Sequence, residues 1–254
     1  MKGIILAGGK GTRLWPATEA TNKHLVTVSN LPMIEYPLYT LSQLNIDSIS
    51  VVTGGEHFQA ISQYLSKLHP DINFSYHNQV EAGGIAQALS LTEPYVRGDK
   101  LAVILGDNVF EEDFSCNAHL FETSDLGAML FLKPVEDPKR FGIAEISDNR
   151  IISLEEKPKQ PKSNFAATGL YFYDPTVFDK IKKIKASDRG ELEITDVNKL
   201  YLEEGRLGHY VVEGFWSDAG THQSRAHCEV YLKHNDLERR IAEHSLGQKI
   251  WPPQ

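Results

Sequence analysis

The chain has 254 residues, enough to bury a substantial core as one large α/β domain or two small ones. Its 41% hydrophobic and 24% charged residues are ordinary soluble values, and a formal net charge of −8 argues against a general nucleic-acid binder, which needs a basic face for counterion release. Two widely separated cysteines, Cys116 and Cys228, form neither a disulfide framework nor a metal-ligand spacing; they suit a reducing cytosol. The apolar start stops at Ala7 without a cleavage-type site, and no run approaches the roughly 18 apolar residues of a membrane span, so the expectation is a cytoplasmic protein with no membrane partner.

Gly3 to Ala7 reads as a short buried strand that empties into Gly8, Gly9, Lys10, Gly11, Thr12 and Arg13. Without Cβ atoms, such a loop can turn successive N–H groups inward as an anion-binding nest, while Lys10, Arg13 and the later Lys23 add positive charge. A polyphosphate is the implied ligand. The spelling excludes a Walker A loop, because Lys10 is followed by Gly11, and the dinucleotide fingerprint, because Leu14 stands where its third glycine belongs. The bland alternative is a tight turn whose charges face water.

Helical spacing follows over Pro32 to Leu44, which tolerates Pro37 with some distortion, then a buried strand over Ile49 to Thr53 and a helix over His57 to Leu68. Ile72 to Tyr76 and Leu101 to Leu105 read as strands around a helix at Ile85 to Leu91. This alternation predicts a Rossmann-like, mostly parallel sheet with helices on both faces. In such sheets ligands bind beyond the carboxyl ends of the strands, where both the glycine loop and Gly106-Asp107-Asn108 fall. A carboxylate aimed at phosphates there implies an intervening hard cation, Mg²⁺; the alternative for Asp107 is a turn-forming role. Gln79 could read the N3–H and O4 edge of thymine or uracil, although on the residues alone it is a plain exposed polar side chain.

From Gly127 to Val135, a further strand, the pattern shifts to short strands at Gly142 to Ile146, Arg150 to Glu156 and Ala167 to Tyr173, a smaller mixed β part without a separating linker. Glu156 and Lys157 could meet sugar hydroxyls and a phosphate, or be a solvated charge cluster. A helix is expected from Arg189 to about Glu204, with Glu191 and Glu193 suiting its dipole. Asp218 ends a strand, where on the residues alone it is an acid near a helix start. Helix is expected from Thr221 to about His244, and 241–254 is expected to be a tail. One domain over 1–240 is anticipated, with a first part at about 1–135 and a second at about 136–220.

The string GGKGTRLWPATEATNKHL resembles the signature of the sugar-1-phosphate nucleotidylyltransferases, most closely the short-form glucose-1-phosphate thymidylyltransferases. LGDN, RFG, EEKP, ATGLYFYD, RGELEITD and DAGTHQS stand in family order, so the likeness runs from Lys2 to about Gln223. Thr27 departs from a usual proline, and the ending resembles forms without the added helices of an allosteric site. The resemblance implies the nucleotidyltransferase fold, and the family likeness of the motifs makes the first part of the chain a nucleotide part and the second a sugar-phosphate part. It assigns Leu6, Gly8, Gly9, Gly11, Thr12, Arg13, Gln79, Gly84 and Asp107 to the nucleotide. It assigns Asn108, Gly142, Glu156, Lys157, Thr168 and Arg189 to the sugar phosphate, and Asp107 and Asp218 to Mg²⁺. Arg13, Lys23 and Lys157 are the implied catalytic cations.

The implied partners are dTTP, or UTP, and a hexose 1-phosphate, in nucleotide-sugar (deoxysugar or rhamnose) biosynthesis, and the implied assembly is a homo-oligomer, dimer or tetramer. The attacking sugar phosphate is already an anion, so no general base is required, and catalysis reduces to alignment and charge neutralisation. A metal-dependent glycosyltransferase fits less well, since it would usually show two aspartates one residue apart, whereas Asn108 and Val109 follow Asp107. A non-catalytic sugar-nucleotide sensor would be expected to lose the cations and carboxylates that are all present here.

Overall fold

The computed structural model describes every residue except Lys10, Asp47, Glu56, His57, Arg97 and 248–254, together with the side chains of 245–247. Lys10 of the glycine loop, His57 and the end of the anticipated tail therefore lie outside the described residues. The first half contains β1 (Lys2–Ala7), β2 (Thr27–Val28), β3 (Leu31–Pro32), α1 (Glu35–Ser42), β4 (Ser48–Thr53), α2 (Phe58–Leu68) and β5 (Asn73–Asn78). It continues through α3 (Ile85–Ser90), α4 (Glu93–Val96), β6 (Leu101–Leu105), β7 (Asn108–Phe110), α5 (Ser115–Thr123) and β8 (Ala128–Pro134). Then come β9 (Gly142–Ser147), β10 (Arg150–Glu156), β11 (Phe165–Tyr173), α6 (Val177–Ile181), α7 (Ile194–Glu203), β12 (Leu207–Val211), β13 (Trp216–Asp218), α8 (His222–His234) and α9 (Leu237–Gly247).

β1 lies between β4 and β6, parallel to both, and β5 extends the parallel set beyond β4. β11 runs antiparallel beside β6 and joins this set to β8, β9, β10 and β12, so one nine-stranded sheet passes through both halves of the chain. The pleat divides alternate residues between two cores. Ile4 and Leu6 of β1 face one layer with Leu89, Phe178, Val197 and Tyr201, whereas Ile5 and Ala7 face the other with Leu38, Leu41, Ile61 and Phe121. A third cluster holds α8 and α9 against α1 through Tyr36, Tyr39, Leu232 and Ile241.

The α/β expectation is met, with several local corrections. The helix expected over Pro32 to Leu44 begins only at Glu35, since Pro32 pairs in the β2–β3 hairpin. Pro37 then falls in the first helical turn, where a missing N–H costs nothing and no distortion is needed. The strand expected over Ile72 to Tyr76 runs Asn73–Asn78. Arg189 to Glu193 is loop, not helix: Gly190 takes a left-handed φ of 75°, and Glu193 spends its carboxylate on Ser187 and Arg189. Only Asp196 is left in the first turn of α7 to serve its dipole.

The single helix expected after Thr221 is two, because Asn235 is extended at φ −130°, ψ 162°. α9 continues to Gly247 with Ile241 buried, so the segment after 241 begins as packed helix and not as tail. The start of α8 is set by a reciprocal pair, Thr221 Oγ1 accepting from the Ser224 N–H and Ser224 Oγ accepting from the Thr221 N–H.

Phe131, on β8, is fully buried, with its ring centroid 4.9 Å from Phe114 and 4.8 Å from Phe172. Replacing it with alanine leaves a cavity between α5 and the sheet, and a loss of about 3–5 kcal/mol is expected in urea unfolding.

Candidate active site

Two strand ends and one short antiparallel pair create the site. After β6, the Gly106 N–H donates to Leu6 O at 2.9 Å, and a Cβ on Gly106 would lie 2.7 Å from His24 Cδ2, so the chain passes here only as glycine. Asp107 comes next. β13 then pairs with β7 so that Asp218 sits opposite Asn108, and the Ala219 N–H donates to Asp107 O at 2.7 Å. This pairing makes neighbours of two acids far apart in the chain. Seen from Gly220, the position of a Cβ lies 3.0 Å from Asp107 Oδ2, 3.3 Å from Asp218 Oδ1 and 3.7 Å from Arg13 Nη2.

Each carboxylate is held by named donors. Lys23 Nζ lies 2.9 Å from Asp107 Oδ2, and Asn108 Nδ2 donates to Asp107 Oδ1 at 3.0 Å. Asp218 Oδ1 accepts from the Gly220 N–H and Ser224 Oγ, while Arg140 Nη2 reaches Oδ2 at 3.2 Å. Burial alone would push the Asp107 carboxyl up; Lys23, then His24, and the hydrogen bonds from Lys23 and the Asn108 amide override it and hold it at about 2. His24 beside it is pushed well down by its own burial and by Lys23, so it is neutral near pH 7 and Lys23 is the cation that Asp107 depends on.

The glycine loop packs closely against the segments that follow it. Gly11 adopts φ 65° as the cap of a 3-10 turn over Thr12–Leu14, and a Cβ there would lie 2.8 Å from Lys23 Cβ. Gly9 also has a left-handed φ, 94°, and has open space around it. Gly8 carries the Gln79 amide directly over it, and Gln79 Nε2 donates to Gln87 Oε1 at 2.7 Å. The backbone of Leu192 comes close against Gly84, and its O would be 2.6 Å from a Cβ there. Leu6 has its side chain in the core and its carbonyl on Gly106, so only its place at the end of β1 relates it to the loop.

A cleft of about 340 Å³ opens from the two aspartates. Arg13, Asp107, Asn108, Gly142, Glu156, Lys157, Thr168 and Asp218, all singled out from the sequence, lie on its wall. Glu156 Oε2 accepts the Thr195 hydroxyl at 2.5 Å, which Gly142 permits, since a Cβ there would sit 2.8 Å from Thr195 Oγ1. Lys157 stands at φ 44°, uncommon for a non-glycine residue, with its N–H on Phe141 O. Arg189 is off the wall: Glu193 takes it at 2.8 and 2.9 Å and Glu191 at 3.1 Å, and Glu156 lies 3.5 Å away.

Arg140, Phe141, Tyr171, Asn198 and Trp216, none of them a candidate site residue on sequence grounds, also line the cleft. Arg140 stood in the RFG string and Trp216 two residues before Asp218, so adjacency to motif residues was the available signal.

The nucleotidyl transferase profile matches residues 2–233. The chain belongs to the nucleotidyl transferase family. Within the family it is 43% identical over 229 residues to the glucose-1-phosphate thymidylyltransferase of Neisseria meningitidis serogroup A, covering 88% of this chain and 80% of that one. A Bacillus anthracis protein assigned as a glucose-1-phosphate thymidylyltransferase, crystallised with sucrose, superposes with a TM-score of 0.88 at 47% identity, over 92% of this chain and 96% of that one. UDP-glucose pyrophosphorylase with UDP-glucose shares the fold at a TM-score of 0.82 and 21% identity, over 92% and 99% of the two chains. Among the described residues, no helix is long and apolar enough to cross a membrane.

In this nucleotidyl transferase the Asp107 carboxyl lies below its ordinary 3.8, at about 2. A folded-state value below the unfolded one stabilises the fold above about pH 4, and that contribution disappears as pH falls toward 2. Asp107→Asn is therefore expected to flatten the acid side of stability against pH in that window, read by urea unfolding at stepped pH.

Proposed function

We propose that this chain transfers a nucleotidyl group from dTTP to α-D-glucose 1-phosphate, releasing pyrophosphate and yielding dTDP-glucose for nucleotide-sugar biosynthesis. The thymidylyltransferase relatives at 43% and 47% identity support the substrate pair. The observation that carries the reaction is the meeting of Asp107, Asp218 and Arg13 around one point at the mouth of the cleft. The same reading makes the enzyme cytoplasmic and homo-oligomeric, as the resemblance implies.

The family's divalent ion is read here as Mg²⁺. Its fit rests on donor chemistry: the two aspartates bring hard carboxylate oxygen to one point. An ion on Asp107 and Asp218 would complete its shell with phosphate and water oxygens, as Mg²⁺ does. When bound, Mg²⁺ supplies charge neutralisation at the α-phosphate.

The chain's own groups do the rest. Arg13, at the end of the glycine loop, faces the departing pyrophosphate, and Lys23 stands close enough to Asp107 to exchange that partner for a phosphate oxygen. Gly8, Gly9, Gly11 and Thr12 bring bare backbone to the triphosphate. Gln79 and Gly84 read the base, with Gln87 fixing which end of the Gln79 amide is presented. Across the cleft, the left-handed turn at Lys157 aims its ammonium at the incoming sugar phosphate, while Glu156, Thr168, Asn108 and Gly142 border the sugar. Arg189 joins that side through Glu156, and meeting the phosphate directly requires it to leave Glu193.

The deciding experiment is pyrophosphate release with dTTP and UTP crossed against several hexose 1-phosphates. The highest kcat/KM is expected for dTTP with glucose 1-phosphate; a preference for UTP would move the base assignment. Asp107→Asn is expected to abolish turnover with Mg²⁺ while circular dichroism stays native, and full activity would remove the metal role. Arg13→Ala is expected to lower kcat by about 10²–10³, the usual cost of one charge-stabilising group; a rise confined to the sugar-phosphate KM would show that Arg13 is misplaced.

A further inference from the structure

The two oxygens of Asp107 are held in unlike ways. Oδ2 is held by Lys23, a long side chain that the proposed chemistry asks to move onto phosphate. Oδ1 is held by Asn108, which is 2% exposed. Asn108 Oδ1 accepts from the Gly169 N–H at 3.0 Å and from Trp216 Nε1–H at 2.7 Å. Two donors on that oxygen decide which end of the amide faces Asp107. A flipped amide would set its NH₂ against two N–H groups and its oxygen against a carboxylate.

Three separate elements are shaped around this amide. β7 supplies Asn108 itself. The register of β11 against β8 breaks between Ala167 and Tyr171, which releases the Gly169 N–H from that ladder. A Cβ on Gly169 would lie 2.6 Å from Asn108 Cγ, Nδ2 and Oδ1, so only glycine lets the amide lie flat on the bulge. β13 supplies Trp216, its ring edge-on to Phe141 at 5.6 Å and tilted against Phe110 at 6.4 Å. An indole nitrogen is a donor only, so it selects the amide oxygen and rejects the NH₂, a discrimination that a hydroxyl could not make.

We propose that Trp216 is a positioning residue for nucleotidyl transfer, its indole N–H locking Asn108 so that Asp107, pinned at Oδ1, presents Oδ2 to the divalent ion in one orientation. The proposal rests on the reading of Asp107 as a metal carboxylate. Trp216 also lines the cleft, so its effect on the ion must be separated from any effect on the sugar. Binding measured without sugar phosphate makes that separation.

The test is Mn²⁺ titration followed by electron paramagnetic resonance on the enzyme with dTTP alone, for the wild type, Trp216→Phe, Asp107→Asn and the double variant. Trp216→Phe keeps a ring and removes the N–H, and Mn²⁺ affinity is expected to fall about 10-fold, the scale seen when the partner that orients a metal ligand is lost. In the Asp107→Asn background the same change is expected to alter affinity by less than about 2-fold, because the two act in series. A second variant carrying 3-benzothienylalanine at position 216, with sulfur in place of the N–H and the bicyclic shape kept, is expected to match Trp216→Phe and guards against a packing defect.

Unchanged Mn²⁺ affinity in both position-216 variants, with Asp107→Asn impaired, overturns the positioning role alone. Equal losses from Trp216→Phe with and without Asp107 overturn it too, since they show action through the fold at large. Unchanged affinity in Asp107→Asn overturns the metal reading beneath it.

Discussion

Two carboxylates cannot be set side by side near neutral pH unless cations and donors answer both of them, and the site is built around that electrostatic demand. β13 pairs with β7 over only three residues, yet this brings Asp218 against Asp107. The surrounding groups then divide the negative charge: Lys23 and Asn108 serve one acid, and Arg140, Ser224 and the Gly220 N–H serve the other. A basic, donor-rich enclave inside a molecule of net charge −8 follows from this requirement, and such an enclave is what a triphosphate and a sugar phosphate need in order to meet.

The sheet explains how both substrates can reach one point. The parallel strands β1, β4, β5 and β6 end on the side where the glycine loop and Asp107 emerge, as expected of open α/β sheets. β11 lies antiparallel beside β6, and its irregular stretch at 168–170 falls next to the end of that strand. Thr168 and Gly169 are thereby delivered beside Asn108 by a strand that also pairs with β8 and β9. The cleft lies where one sheet changes direction.

Much of this was legible in the chain. β1 and its loop could be read because alternation and glycine spacing are local signals, and Asp107 could be placed because it follows a short apolar strand. The pairing of β13 with β7 could not, since three-residue strands more than a hundred positions apart leave no periodicity. Glu191 and Glu193 looked like dipole-matching acids, but their real partner, Arg189, is decided by a loop whose path depends on Gly190. The break at Asn235 was hidden because the apolar spacing resumes in α9 and keeps the same core cluster. Arg140 and Trp216 earn their places through tertiary contacts, which position in or near a motif does not by itself disclose.

The backbone contact at Gly84 reaches further than its size suggests. Leu192 N–H donates to Gly83 O at 2.8 Å and Ala86 N–H donates to Leu192 O at 3.3 Å, so the 79–87 turn is stitched to the loop bearing Arg189, Glu191 and Glu193. The two stretches are therefore not independent modules in this scaffold. A chimera that borrows the 79–87 turn from a relative of different base preference inherits a mismatch unless 187–193 travels with it, and recombination libraries should treat the two stretches as one exchangeable block.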